Sequence, residues 1–532
     1  MKSLTFITIF MAMLVAVCSS KSVNCQCRGL ECLFVRFRKE CRHPAPAESE
    51  IPSYENVLKF FKQVNGVPRP SQHEEKMGYF LADFAKKRGL KYVMDGKNVI
   101  IYKKATKGME GTPMITLQTH QDMVCVAKDG YEIDFLEQGI ESYNDGTYIR
   151  SKDNNTSLGA DDGIGVSIVL AILDSKTISH GPLECLFTWD EEQEFSGAIA
   201  LTPGILKGKY MMNIDWETDG ELCIGTAGGL DVAATLAYNI TETPKDFAAY
   251  NLSVSGLTGG HSGVAIVNGG SNAIKLLGDF LATISDLRLA AIEGGSFPNV
   301  ISISSKATVL VPETQKAEFE TKWETYVAEV KAKYATADPN MELTIVETET
   351  PKESMTEVQT KAVFAGLANA AQGVTEWSET VKDIFETSNN VGPITMEDGT
   401  LNIEYLVRGF NNDNIAKLAD NIIEGFEGSK VGFTTRKYGA FSPWSPSLDT
   451  ALMNYARNIY QEHFGKPISL RKVGGGLELS EFAVAYPDMQ FISYGPTVND
   501  PHTINETVEV KTVKSTWEYT VELLRNAKQL KN

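Results

Sequence analysis

From residue 53 onward, apolar and polar positions recur with the periods of packed helices and strands. Val57, Leu58, Phe60, Phe61 and Val64 fall on one helical face, and Ser53 stands where an N-cap would. A second helix is predicted over residues 74–88, with Gly89 placed as the glycine just past its end. Asp95-Gly96 suits a tight turn ahead of an apolar strand at 99–102. Apolar runs at 114–117, 183–189 (LECLFTW) and 211–214 (MMNI) predict short buried strands, with an apolar helix at 164–173 between them.

The character changes beyond residue 229. Strands are predicted near 251–255, 300–311, 342–346 and 401–407, alternating with helices near 272–284, 315–333, 355–371 and 413–426. This α+β segment of about two hundred residues has the size of one domain or two small ones, and a duplicated βαβ-type unit is one reading of it. After a Pro-rich crossing at 441–446 the α/β rhythm returns, with a helix at 450–464, a strand at 488–494 and a last helix at 511–530. The expected architecture is an α/β domain, its largely parallel sheet flanked by helices, interrupted by an inserted α+β domain. The boundaries are 1–50 for a leader and Cys-rich segment, 51–229, 230–438 for the insertion, and 439–532. Function is then expected at the carboxyl ends of the parallel strands.

Composition narrows this picture without naming a function. A chain of 532 residues exceeds what one core usually supports, which agrees with two domains. The 68 acidic against 50 basic residues give a net charge of −18, which argues against nucleic acid or anionic membrane as the main partner. Five cysteines (Cys18, Cys25, Cys27, Cys32, Cys41) crowd the first 41 residues; Cys125, Cys185 and Cys223 lie in apolar runs and read as buried thiols. Lys2 followed by the apolar run at 4–17 has the form of a secretory signal, too short to span a bilayer. Cys18 is a candidate lipid anchor only if that signal is of lipoprotein type, although Val17 is bulkier than the residue expected before it. Export follows if the signal is genuine and a cytoplasmic location otherwise; a downstream true start is the alternative.

The chemistry gathers at the strand tips. Asp161 and Asp162 precede the apolar helix, Asp190, Glu191 and Glu192 follow LECLFTW, and Asp215 follows MMNI. Carboxylates at the ends of buried strands repel one another, and burial raises that cost, so the cluster suits cations among its oxygens. Taken singly, each signal has an ordinary explanation. Asp161 could be an N-cap, Glu191-Glu192 a solvated turn, His120-x-Asp122 a loop pair and His502 a surface histidine. Their conjunction is specific: two histidines and three or more carboxylates at strand ends would furnish a two-metal hydrolytic site. Oxygen and imidazole donors without thiolate suit zinc, with manganese or cobalt as rivals.

From about residue 53 to the end, the sequence resembles the aminoacyl-histidine dipeptidases (peptidase D, Xaa-His dipeptidase), members of the co-catalytic zinc peptidases. The matching segments are LQTHQDMV (117–124), SLGADDGIG (157–165), GPLECLFTWDEE (181–192), NIDWETDGELCIGTAGG (213–229), GLTGGHSG (256–263) and GPTVNDPH (495–502). The resemblance implies that His120 and Asp215 hold one zinc and Glu192 and His502 the other, with Asp161 bridging. It makes Asp122 the residue that orients His120 and Glu191 the general base. The insertion becomes a lid whose His261 reaches the scissile carbonyl oxygen, with Arg408 and Asn299 as candidates for the substrate's carboxylate. Pro298, where relatives often have Arg, and the glycines of VGGGLE (473–478), where they commonly have His, leave the fine specificity open. The implied activity is hydrolysis of small unblocked dipeptides, with Xaa-His among them. The alternatives are an N-acyl-amino-acid deacylase or carboxypeptidase of the same chemistry and, of a different class, a non-catalytic peptide-binding protein. The partners implied are a small peptide substrate, no nucleic acid and, as an open alternative, a second copy of the chain.

Overall fold

The computed structural model describes residues 51–531. Its first sheet has eight strands in the order Lys91–Asp95, Asn98–Lys103, Leu183–Thr188, Ile115–His120, Tyr210–Asn213, Gln490–Ser493, Glu221–Thr226, Ser469–Val473. The four central strands, Leu183–Thr188 through Gln490–Ser493, run parallel, and antiparallel pairings are confined to the flanks. Strands covered on both faces read as continuous apolar runs, and Ile115–His120 and Leu183–Thr188 are buried at every position. Helices Glu55–Asn65, Ala160–Asp174, Ala451–Phe464 and Val510–Arg525 cover one face. Their Phe61, Ile168, Met453 and Trp517 share one core with Leu117, Cys185 and Met212 of the sheet. On the other face Ala198, Leu479 and Phe482 of the short helices Ser196–Ile199 and Leu479–Ala485 pack with Leu186 and Met211. Because the central strands are parallel, their carboxyl ends share one edge, and the loops carrying Asp190–Glu192 and Asp215 leave from it. Asp161 instead comes from the segment after strand Tyr148–Ser151 of a separate four-stranded sheet.

Strands from Gly228–Ala237 to Phe433–Phe441 build a second sheet, and every pairing in its main path is antiparallel. The expected βαβ-type unit is present in split form. Strand Phe247–Ser255, helix Ala273–Leu281, strands Arg288–Gly294 and Ser305–Pro312, helix Lys316–Tyr334 and strand Glu342–Thr348 follow in sequence. In space the four strands take the order fourth, first, third, second, so each helix joins two parallel strands with an antiparallel one between them. The single strand expected at 300–311 is broken into Val300–Ile301 and Ser305–Pro312. The boundaries expected at 229/230 and 438/439 fall inside strands Gly228–Ala237 and Phe433–Phe441. A second core lies under this sheet, where Phe280, Trp323, Phe364 and Phe426 of its helices meet Tyr250, Val309 and Tyr405.

Local expectations hold with small shifts. The helix at 74–88 is Glu75–Lys87, and Gly89 takes φ 68°. Ser53 sits one residue ahead of the N-cap position, which Tyr54 occupies, but its Oγ still accepts the Glu55 N–H (3.2 Å). Cys185 and Cys223 are buried; Cys125 is not, because it lies in the irregular segment after His120 rather than in a strand. The leader, its cysteines and the Cys18 anchor lie outside the described residues. Among the described residues no helix is long and apolar enough to cross a membrane.

Candidate active site

His120 ends strand Ile115–His120, and its Nε2 lies 3.0 Å from Asp161 Oδ1 and 3.4 Å from Asp215 Oδ1. His502 arrives from the loop after Gln490–Ser493, and its Nε2 lies 3.1 Å from Asp161 Oδ2 and 2.8 Å from Glu192 Oε2. The two oxygens of Asp161 therefore face two different histidines, each with one further carboxylate beside it. Asp161 is the link. Sequence positions 120, 161, 192, 215 and 502 come together at one sheet edge. The parallel strands deliver 120, 192 and 215, while 161 and 502 follow strands Tyr148–Ser151 and Val498–Asn499 of the separate four-stranded sheet.

The carboxylate ends of this cluster are charged groups in a dry place. Burial pushes Glu192 up to about 7 and Asp215 to about 6, and neighbouring carboxylates add to the shift. Glu191, also buried, is carried well above the ordinary carboxylate range. The imidazoles are raised too, but by their partners rather than by burial. Hydrogen bonds donated to Asp161 and Glu192 hold His502 up at about 11, and burial of His120 is outweighed by Asp215, Asp122 and Asp161. Glu192 Oε1 is buried and, among the described residues, without a hydrogen-bond partner. A crowd of hard oxygen donors with two imidazole nitrogens and an orphaned carboxylate oxygen fits divalent cations. Ligand atoms of His120, Asp161 and Glu192 lie within 4.8 Å of one another, as do those of His120, Asp162 and Asp215.

Asp162 is nevertheless engaged elsewhere: it accepts the backbone N–H of His120 (3.3 Å) and of Gly165 (3.1 Å). Asp122 is held by the backbone N–H groups of Glu191 (3.1 Å) and Glu192 (3.2 Å) and by Ser71 Oγ (2.9 Å). Its Oδ1 lies 3.3 Å from His120 Nδ1, close but without hydrogen-bond alignment. Burial would raise its pKa, yet these contacts, His120 foremost, hold it below the usual value. Asp190 takes the left-handed φ of 55° that turns the chain after the strand, and Ser196 Oγ donates to its carboxylate.

His261, Asn299 and Arg408 converge in the second sheet's part of the chain. His261 pairs with Val300 in a two-stranded ribbon, Ser262 N–H donates to Asn299 O (2.8 Å), and Arg408 Nε reaches Ser262 Oγ (3.4 Å). Arg408 is buried, its Nη1 donates to Gly474 O (3.1 Å), and among the described residues no carboxylate pairs with it at ion-pair distance. Burial lowers its pKa to about 10. His261 is exposed as a residue, yet its ring is desolvated enough that, with Arg408 nearby, its pKa falls below the ordinary histidine value. Among the described residues no hydrogen bond or ion pair joins these three to the carboxylate cluster. A separate cleft of about 940 Å³, on the open face of the second sheet, includes none of the site residues.

Residues 150–526 match peptidase family M20/M25/M40. The chain belongs to that family. It is 34% identical over 473 residues to the cytosol non-specific dipeptidase of Escherichia coli, covering 87% of this chain and 96% of that one. The crystal structure of aminoacylhistidine dipeptidase from Vibrio alginolyticus superposes with a TM-score of 0.83 at 33% identity, covering 90% and 98% of the two chains. Aminopeptidase PepT of Bacillus cereus shares the fold, with a TM-score of 0.54 at 17% identity, covering 90% and 100%. The chain is thus a peptidase on the family's α/β scaffold, and its donor set suits the divalent metal that the family implies.

Four polar residues of the site have no mark in the sequence pattern. Glu217 is partly buried beside Asp161 and Asp215, and burial raises it to about 9. Glu478 is fully buried under the strand tips, where Thr188 Oγ1 (2.7 Å) and Gln118 Nε2 donate to it. Arg69 and Glu506 grip backbone atoms of the loops that carry the site. Only Glu217, two residues past Asp215, could have been found by extending the carboxylate count.

Proposed function

We propose that this peptidase hydrolyses small unblocked dipeptides, Xaa-His among them, at a two-cation site. The observation that carries this reading is the placement of Asp161 between two histidine–carboxylate pairs, His120 with Asp215 and His502 with Glu192. In this reading one pair would hold each cation, with Asp161 available to both. Bound there, divalent cations (zinc, with manganese or cobalt as rivals) supply Lewis acidity to the scissile carbonyl and to the attacking water. The similarity to the two dipeptidases supports the substrate class.

The chain's own residues divide the remaining work. Glu191 takes the water's proton and returns it to the leaving amine; its buried carboxyl is free of the hydrogen bonds that occupy Asp122. Asp122 lies against His120 Nδ1 and fixes the ring that presents Nε2 to the site. His261 Nδ1 accepts the Gly263 N–H (3.2 Å), which leaves its proton on Nε2 and makes the neutral ring a donor for the developing oxyanion. Arg408, a buried guanidinium without a carboxylate partner, receives the substrate's carboxylate, with Asn299 at the same pocket. Residues 51–229 and 439–532 form the catalytic domain in this reading, and 230–438 the lid.

A panel of free dipeptides and matched N-acyl amino acids tests the substrate class. Turnover of the free dipeptides, with Xaa-His members included, is expected. Turnover confined to the N-acyl compounds would replace the reading with a deacylase or carboxypeptidase, and turnover of neither with a binding protein. The leader reading is tested by N-terminal sequencing of the native protein. Cleavage near residue 18 supports export, and an intact Met1 refutes it.

A further inference from the structure

We propose that Arg69 and Glu506, neither of them a metal ligand, form a clamp that sets the position of Asp161 and hence the spacing of the two cation positions. This rests on the two-cation reading above. Glu506 is buried, and its carboxylate accepts four consecutive backbone N–H groups. Oε2 takes those of Leu158 (2.7 Å) and Gly159 (2.9 Å), and Oε1 those of Ala160 (2.7 Å) and Asp161 (3.4 Å). These donors lie in the irregular turn just ahead of the regular helix, since Asp161 and Asp162 have non-helical backbone angles. Without Glu506 their N–H groups would lack a partner there. Glu506 lies four residues beyond His502, so the loop that brings one histidine is tied directly to the loop that brings Asp161.

Arg69 ties in the other histidine. Its buried guanidinium donates from Nη1 to the carbonyls of Gln121 (3.2 Å) and Asp122 (2.6 Å) and from Nη2 to the carbonyl of Gly159 (2.5 Å). One side chain thus spans the segment after His120 and the segment before Asp161. The approach is close enough that a Cβ on Gly159 would lie 2.6 Å from Nη2, and one on Gly163 would lie 2.7 Å from it. The opposite charges of Arg69 and Glu506 attract one another across the loop. Three chain segments, from positions 120, 161 and 502, are pinned at one place by two side chains whose hydrogen bonds, among the described residues, go to backbone groups. Outer-shell partners of this kind set ligand geometry, and their loss typically weakens metal binding by about 10–100-fold.

The test uses the full-length protein stripped by chelation and titrated calorimetrically with manganese, alongside kcat and KM for a free dipeptide. Glu506→Gln keeps the side-chain shape but turns an amide NH2 toward two N–H donors. Arg69→Lys keeps the charge but cannot span both carbonyl sets. The control is Glu184→Gln, a buried carboxylate that caps the N–H groups of Lys207 and Gly208 near the opposite end of the same sheet. In both clamp variants, manganese affinity is expected to fall about 10–100-fold. The expected loss in turnover lies in kcat with KM little changed, while Glu184→Gln lowers only the melting temperature. If one clamp variant does not fold, the other decides. Wild-type affinity in the clamp variants, with a lowered melting temperature like that of Glu184→Gln, overturns the clamp alone. Failure of the wild-type protein to take up metal overturns the two-cation reading and the clamp with it.

Discussion

Asp122 and Glu191 lie against each other, but the backbone treats them differently. Asp122 accepts the N–H groups of Glu191 and Glu192 and stays ionised, whereas burial drives the Glu191 pKa up and no described residue hydrogen-bonds its carboxyl. A carboxylate desolvated in this way binds a proton more tightly than an exposed one, as a general base must. Glu191→Gln is therefore expected to lower kcat by about 10²–10⁴-fold with metal content unchanged, checked by steady-state kinetics beside metal analysis. Unchanged turnover would remove Glu191 from the mechanism. Glu74 offers a stability test. It is buried, accepts the N–H groups of Gln72 (2.5 Å) and Asp190 (3.2 Å), and burial raises its pKa to about 7. Its folded-state pKa lies above the unfolded value, so the folded protein keeps this proton longer. That contribution is full below the unfolded pKa and is lost as pH rises through about 7. The stability of Glu74→Gln relative to wild type should thus increase between pH 5 and pH 8, by up to about 3 kcal/mol, in thermal melts. A difference independent of pH would contradict the shift.

At the scale of elements, the strand tips were the legible part. Runs such as LECLFTW end in acids because parallel strands buried on both faces place their polar loops at one edge. His120, Glu192 and Asp215 could be read because each is a side chain of the right type at such an end. Asp161 and His502, which come from outside the parallel sheet, were legible through the motifs around them. Arg69, Glu506 and Glu478 could not, because they act through backbone atoms or uncharged neighbours that leave no residue pattern. Strand Arg288–Gly294 was missed for a related reason: only Leu289 and Ile292 are buried, so its apolar signal is weak. Gly165 shows an element constraint that propensity alone would misjudge. Alanine normally favours a helix over glycine by about 1 kcal/mol. At this position a Cβ would run into Asp162 Oδ1 and the Ile214 carbonyl, next to Asp215. Gly165→Ala is expected to destabilise by about 1–3 kcal/mol in denaturant unfolding, the opposite sign to propensity.

Over the whole molecule, each sheet brings a different part of the proposed reaction. The parallel sheet's edge gathers the carboxylates and histidines, and the antiparallel sheet carries Arg408 and the ribbon with His261. They meet where Arg408 donates to Gly474 O and where a Cβ on Gly263 would strike that same oxygen. Gly263→Ala should accordingly raise KM for free dipeptides while leaving metal uptake intact, measurable by the same kinetics and metal analysis. Residues Ile51–Asn532 cluster as one compact unit that holds every site residue, so a chain beginning at Ile51 is expected to retain metal uptake and turnover. The two-cation site itself is tested most directly by stripping the protein with a chelator and restoring zinc or manganese in measured equivalents while following hydrolysis of a free dipeptide. Activity should vanish on stripping and return in full at two equivalents per chain. Turnover that persists in demonstrably metal-free protein would contradict the two-cation site.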